Sequence, residues 1–269
     1  MSIVNQLVRE GKVASFSASS VKDVSDHHLA VKSLAQLLTE EEEQHDAMNQ
    51  PLSPNFLLVI VFKTVRLLDL LHKHHLVYRN LTLENILIEK LQDGNLNVHL
   101  NNLDKSIELL IDQQVNLTST ISFQGDEHAV SYNAPLHQYF DFNRNAQITH
   151  GYEPPEIIHS TTCEKPFICL KSEIWSLAIC ILRVLFRKSI IIHPENYVEQ
   201  LDELFGREVD EDLVATQDES KTIMTCLKEM TRNMLCPNVY ERWSCADVIE
   251  YICLASTFLK SITQEFLNQ

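Results

Sequence analysis

From Pro54 onward the chain sets Leu57, Ile60, Val61, Thr64, Val65, Leu68 and Leu71 mostly three and four positions apart, one largely apolar stripe along a helix. Ser53 before it is a good N-cap, and Pro54 at the first helical position has no N–H to lose, so the start is predicted there. The next period is two. Ile86-Leu87-Ile88 and Leu96-Asn97-Val98-His99-Leu100 flank Gln92-Asp93-Gly94-Asn95, which predicts a short hairpin. A polar, turn-rich stretch then runs to Gly151. Ser172 to Leu185, with Trp175, reads as a buried helix, and the last helices are expected at about 221–235 and 244–266, the latter with Val248, Ile249, Ile252, Phe258, Leu259, Ile262 and Phe266 at helical spacing. Upstream, a short helix from Leu34 runs into Glu40-Glu41-Glu42-Glu43. Residues 1–25 are weakly patterned, with a β-like piece near Val13 to Val21. The fold class expected is mainly α with one short hairpin, in one principal domain over 31–269 preceded by an extension over 1–30.

Composition narrows the function classes. With 45% hydrophobic residues, 269 positions suffice for one large core. A formal charge of −15 argues against nucleic acid and anionic membrane as partners and leaves basic proteins open. Ten acids (Glu195, Glu199, Asp202, Glu203, Glu208, Asp210, Glu211, Asp212, Asp218, Glu219) stand against Arg207 alone in 195–219. Seven scattered cysteines without a C-x-x-C pair read as reduced thiols of a cytosolic or nuclear protein. No apolar stretch reaches spanning length and the first residues do not open a signal peptide. His72-Lys73-His74-His75 reads as packing and solvation at a helix end; no metal or cofactor is expected.

The chemistry lies in Val77-Tyr78-Arg79-Asn80-Leu81-Thr82-Leu83-Glu84-Asn85. This run resembles the protein-kinase catalytic loop H-R-D-L-x-x-x-N. Further landmarks follow in family order. Asn101-Asn102-Leu103-Asp104 falls where D-F-G is expected, and Pro155-Glu156 matches the end of A-P-E. Lys171-Ser172-Glu173-Ile174-Trp175-Ser176-Leu177 is similar to the D-V-W-S-L helix start, and Tyr240-Glu241-Arg242-Trp243-Ser244 to the late arginine motif. The resemblance implies a kinase C-lobe, with Glu156 and Arg242 as a structural ion pair and Arg79, Asn85 and Trp175 as structural residues. It also locates the losses. Asn80 stands where an Asp accepts the substrate proton, and Asn102 where an Asp holds magnesium; a neutral carboxamide does neither. Asp104 stands at the glycine position of D-F-G, too displaced to replace the metal ligand without a backbone shift.

Before Gly94 the chain has one glycine, Gly11, so no Gly-rich nucleotide loop can form. Leu29-Ala30-Val31-Lys32 mimics the V-A-I-K strand. Lys32 nevertheless lies only 48 positions before Asn80, about half the family interval. It is therefore taken as a surface residue leading into the next helix, with the N-lobe absent or vestigial. A C-lobe alone resembles the kinase non-catalytic C-lobe (KIND) domains of Spire-type actin regulators and some scaffold phosphatases, although Arg79 and Asn85 make this loop more kinase-like. The resemblance implies a non-enzymatic binding, scaffolding or allosteric regulatory module, with Glu199, Asp202, Glu203, Asp210, Glu211 and Asp212 as partner-contact candidates for a basic segment or another kinase. The competing expectation is a nucleotide-dependent transferase with an unusual pose, or one completed by a second chain.

Overall fold

The helix predicted from Pro54 is the axis of the molecule. It spans Pro54–Lys73, and the Ser53 side chain caps it by accepting from the Phe56 N–H at 3.2 Å. Val65 and Leu68 are fully buried, and burial extends around most of the helix from Leu57 to Phe62. Its apolar stripe is thus wider than the three–four spacing alone suggests, because neighbours cover it from several sides.

A computed structural model of the chain describes residues 3–13, 31–43, 53–91, 95–108, 137–139, 151–158, 167–207 and 218–256. In chain order the elements are α1 (Ile3–Arg9), β1 (Lys32–Ser33), α2 (Leu34–Glu43), α3 (Pro54–Lys73), β2 (Leu76–Val77), β3 (Ile86–Lys90), β4 (Leu96–Leu100) and β5 (Ile107–Glu108). The second half adds β6 (His137–Tyr139), α4 (Pro155–Ile158), β7 (Phe167–Cys169), α5 (Ser172–Phe186), α6 (Tyr197–Arg207), α7 (Asp218–Met234) and α8 (Cys245–Ser256). The architecture is mainly α. α8, α7, α5 and β4 pack against α3, and their apolar faces form one core.

The hairpin is antiparallel, β3 on β4, in the register Ile86↔Leu100 and Ile88↔Val98. β1 extends it on the other edge, Lys32 opposite Ile88, giving the order β1-β3-β4. Lys32 therefore lies half-buried in a strand that runs directly into α2. That helix begins with a reciprocal cap: Ser33 Oγ accepts from the Gln36 N–H at 3.1 Å, and Gln36 Oε1 from the Ser33 N–H at 2.8 Å. Two short antiparallel pairs, β2–β5 and β6–β7, complete the described strands.

Some expectations shift. The N-terminal stretch carries α1, whose Leu7 is buried in the main core together with Val13 in the turn that follows. Ile3, Val4 and Leu7 have helical spacing, but one short helix is too few turns for periodicity to stand out. Val13 is not in a strand, and 14–21 lie outside the described residues, as do the hairpin-turn residues 92–94, most of the polar stretch before Gly151, and 257–269 with Phe258, Leu259, Ile262 and Phe266. No described helix is long and apolar enough to cross a membrane.

Candidate functional site

The catalytic-loop run lies between β2 and β3, so the core elements α3 and β3 hold its two ends. Arg79 has a positive φ of 69°, which lets the chain leave β2 sharply. Its backbone N–H donates to Glu173 Oε1 at 2.7 Å, while Glu173 Oε2 takes His72 Nε2 at the same distance. On the other side of the imidazole, Cys245 Sγ lies 3.3 Å from Nδ1. One buried carboxylate on α5 thus ties the end of α3 to the loop, and the cysteine opening α8 closes the set.

Sequence reasoning missed this role of Glu173. The legible signal was an acid in the first turn of the largely apolar α5, where Glu173 is only 3% exposed and an ionised side chain demands partners. The helix-end histidine is packed as expected, and its partners contact opposite ring nitrogens rather than converging on one point. Among the described residues, no three His, Cys, Asp or Glu side chains come together as a metal site requires. Tyr78, in the place of the motif's histidine, is fully buried and donates its hydroxyl hydrogen to the Asn101 carbonyl. Burial, then the Glu173 charge, pushes its pKa well above the ordinary tyrosine value.

Beyond the loop, three asparagines meet. Asn85 Nδ2 donates to the Asn80 carbonyl at 3.0 Å and to Thr82 Oγ1 at 3.2 Å. A backbone carbonyl only accepts, so the amide nitrogen of Asn85 faces Asn80 and its oxygen faces Asn102. Asn102 Nδ2 donates to that oxygen at 3.1 Å. The backbone locks the arrangement: the Asn101 N–H bonds the Asn85 carbonyl at 2.9 Å, and Asn102 sits in the left-handed region at φ 56°, which asparagine tolerates. Asp104 lies one turn on, exposed, in the 3-10 turn Leu103–Lys105. Asn80, Asn85 and Asn102 are thus brought together, with Asp104 on the rim.

The landmark ion pair is present. Arg242 bonds Glu156 through its two terminal guanidinium nitrogens, at 2.7 and 2.9 Å, and is itself completely buried. Nε donates to the Cys236 carbonyl at 2.9 Å, Ser172 Oγ donates to Glu156 Oε1 at 2.8 Å, and the guanidinium lies 5.2 Å from the Trp175 ring centroid. A buried charge so fully partnered holds α4, α5 and the loop before α8 together.

Of the acidic candidates, Glu199, Asp202 and Glu203 are exposed on α6, and Asp202 pairs with Lys228 of α7 at 3.1 Å. Asp210, Glu211 and Asp212 lie outside the described residues. A shallow groove of about 300 Å³ opens between α6 and the Lys188–Ile192 segment.

No curated protein matches the chain. Residues 27–252, most of its length, match the family described as "Protein kinase domain". With the catalytic-loop frame, the Glu156–Arg242 pair and the α5 anchor in family order, the chain belongs to the protein kinase family.

Proposed function

We propose that this protein is a pseudokinase, a C-lobe without a working N-lobe, that acts as a protein-binding or scaffolding module for a basic partner segment. The observation that carries this reading is the side-chain bond from Asn102 to the Asn85 oxygen, with the Asn85 amide nitrogen held by the Asn80 backbone carbonyl. In an active site of this family, the positions of Asn102 and Asn80 carry the carboxylates that meet magnesium and the substrate hydroxyl, and the asparagine at the position of Asn85 is itself a magnesium ligand. Here the Asn85 oxygen that would face a metal is occupied by an N–H donor, and no carboxylate stands at either acid position. The single glycine before Gly94 argues in the same direction. So does Lys32, paired on the edge of the β3–β4 hairpin rather than carried by a strand of a separate lobe. The formal charge of −15 and the acids of α6 support a basic partner, in a cytosolic or nuclear setting.

The second reading, a nucleotide-dependent transferase with an unusual pose or one completed by another chain, draws on Asn85 and on the loop frame still held by Glu173. Thermal unfolding with and without ATP plus Mg²⁺ or Mn²⁺ separates the two. A ligand that binds only the folded state raises the midpoint by mass action. The pseudokinase reading predicts no shift at millimolar nucleotide. A metal-dependent rise would reject it in favour of the transferase.

A further inference from the structure

Between α5 and α6 the chain runs extended, and its side chains alternate: Ile190 and Ile192 are each 5% exposed, whereas Ile191 between them is 65% exposed. The segment joins no sheet among the described residues. It is nevertheless fixed, because the Arg183 guanidinium donates to the Ile190 carbonyl at 3.5 Å and the His193 N–H to Gln200 Oε1 of α6 at 2.8 Å. The groove along it has Ile190, Ile191, Ile192 and Leu204 as its apolar lining and Gln200 and Glu203 on its α6 side. An isoleucine turned outward into a preformed groove of mixed polar and apolar lining is the type of contact that anchors a partner side chain.

What fits the groove is indicated by charge. The four acids from Glu195 to Glu203 stand on or beside the α6 wall, and Arg207 is the one cation of that helix. Lys188 also lines the groove, which places a partner's cations over α6 and an uncharged side chain in the groove itself. We propose that the surface formed by Ile190–Ile192 and α6 docks a short segment of another protein in which an apolar residue is flanked by lysines or arginines. The apolar residue seats beside Ile191 and the flanking cations lie over Glu199 and its neighbours. This rests on the reading of the chain as a binder of basic segments, and gives that reading a location and a sequence requirement.

The test is selection of a random peptide display library on the immobilised full chain, followed by fluorescence anisotropy of the enriched peptides. Wild type is compared with Ile191→Ser and Glu199→Lys, both at exposed positions and both checked for an unchanged unfolding midpoint. Enriched peptides should carry an apolar residue between basic ones and bind about tenfold more weakly to each variant. Raising salt from about 50 to about 500 mM should weaken binding to wild type, since surface charges are screened over that range. Basic peptides that bind Ile191→Ser within about twofold of wild type would overturn the groove while leaving the basic-partner reading standing. Enrichment of no basic peptide at all would overturn both.

Discussion

At the scale of single residues, the amide chain and the buried arginine make opposite demands. Asn102 is held because its N–H₂ faces an oxygen that Asn85 cannot turn away without losing its bonds to Asn80 and Thr82. Asn102→Asp would set a carboxylate against that oxygen and leave two acceptors facing each other. The expected loss is about 1–3 kcal/mol of stability in divalent-free buffer, read by urea unfolding. Unchanged stability would mean that the amides are not arranged in this way. Arg242 makes the opposite case: its removal leaves Glu156 charged and buried, so Arg242→Ala is expected to cost about 3–5 kcal/mol in the same measurement. Arg242→Lys should recover little, because an ammonium cannot reproduce the two-pronged contact with Glu156 or the face-on approach to Trp175. Glu156 and Arg242 were legible from their motifs. The link from Glu173 to His72 was not, since it joins positions about a hundred residues apart that only folding brings together.

Among the elements, α3 carries the fold and its start is a local matter. Ser53 and Pro54 define that start before any tertiary contact forms, and the cap is present as its residue type requires. Ser53→Ala should therefore cost about 1 kcal/mol, seen as a lower urea midpoint with an unchanged slope. Capping also explains an element that periodicity alone left vague. The Ser33–Gln36 pair begins α2 just as Ser244–Asp247 begins α8, where Asp247 Oδ2 accepts from the Ser244 N–H at 2.7 Å. Both were readable as a serine followed three positions later by an acid or amide. The pairing of β1 with β3 was not readable, because two residues carry no alternation and their partner lies more than fifty positions away.

For the molecule as a whole, burial of thiols predicts a direction of pH dependence. Desolvation pushes Cys169 up to about 11, with the Glu156 charge adding to it, and pushes Cys180 and Cys245 well above the ordinary thiol value. A thiol whose pKa is raised on folding favours the folded state fully below its unfolded value. As the pH passes that value the unfolded chain ionises first, and the advantage is lost progressively until the folded thiol ionises too. Stability should therefore decline from about pH 9 toward pH 11, where Cys169 itself titrates. Chemical unfolding across this range measures the decline, and Cys169→Ala should make it shallower. A slope unaffected by that substitution would place the alkaline sensitivity elsewhere.

By itself the sequence determined the class of structure and the residue types at the family's motif positions. Helical and two-residue periods, together with caps and ordered short motifs, are local properties, and an Asn side chain is a neutral amide wherever the fold places it. The tertiary structure decided which groups meet. It bonded the Asn102 side chain to Asn85 and Asn85 to the Asn80 backbone, set Glu173 between Arg79 and His72, and turned Ile191 outward in the groove along α6. Those outcomes depend on the packing of α3, α5 and α8 around one core, and such contacts between distant positions leave no local pattern in a single chain.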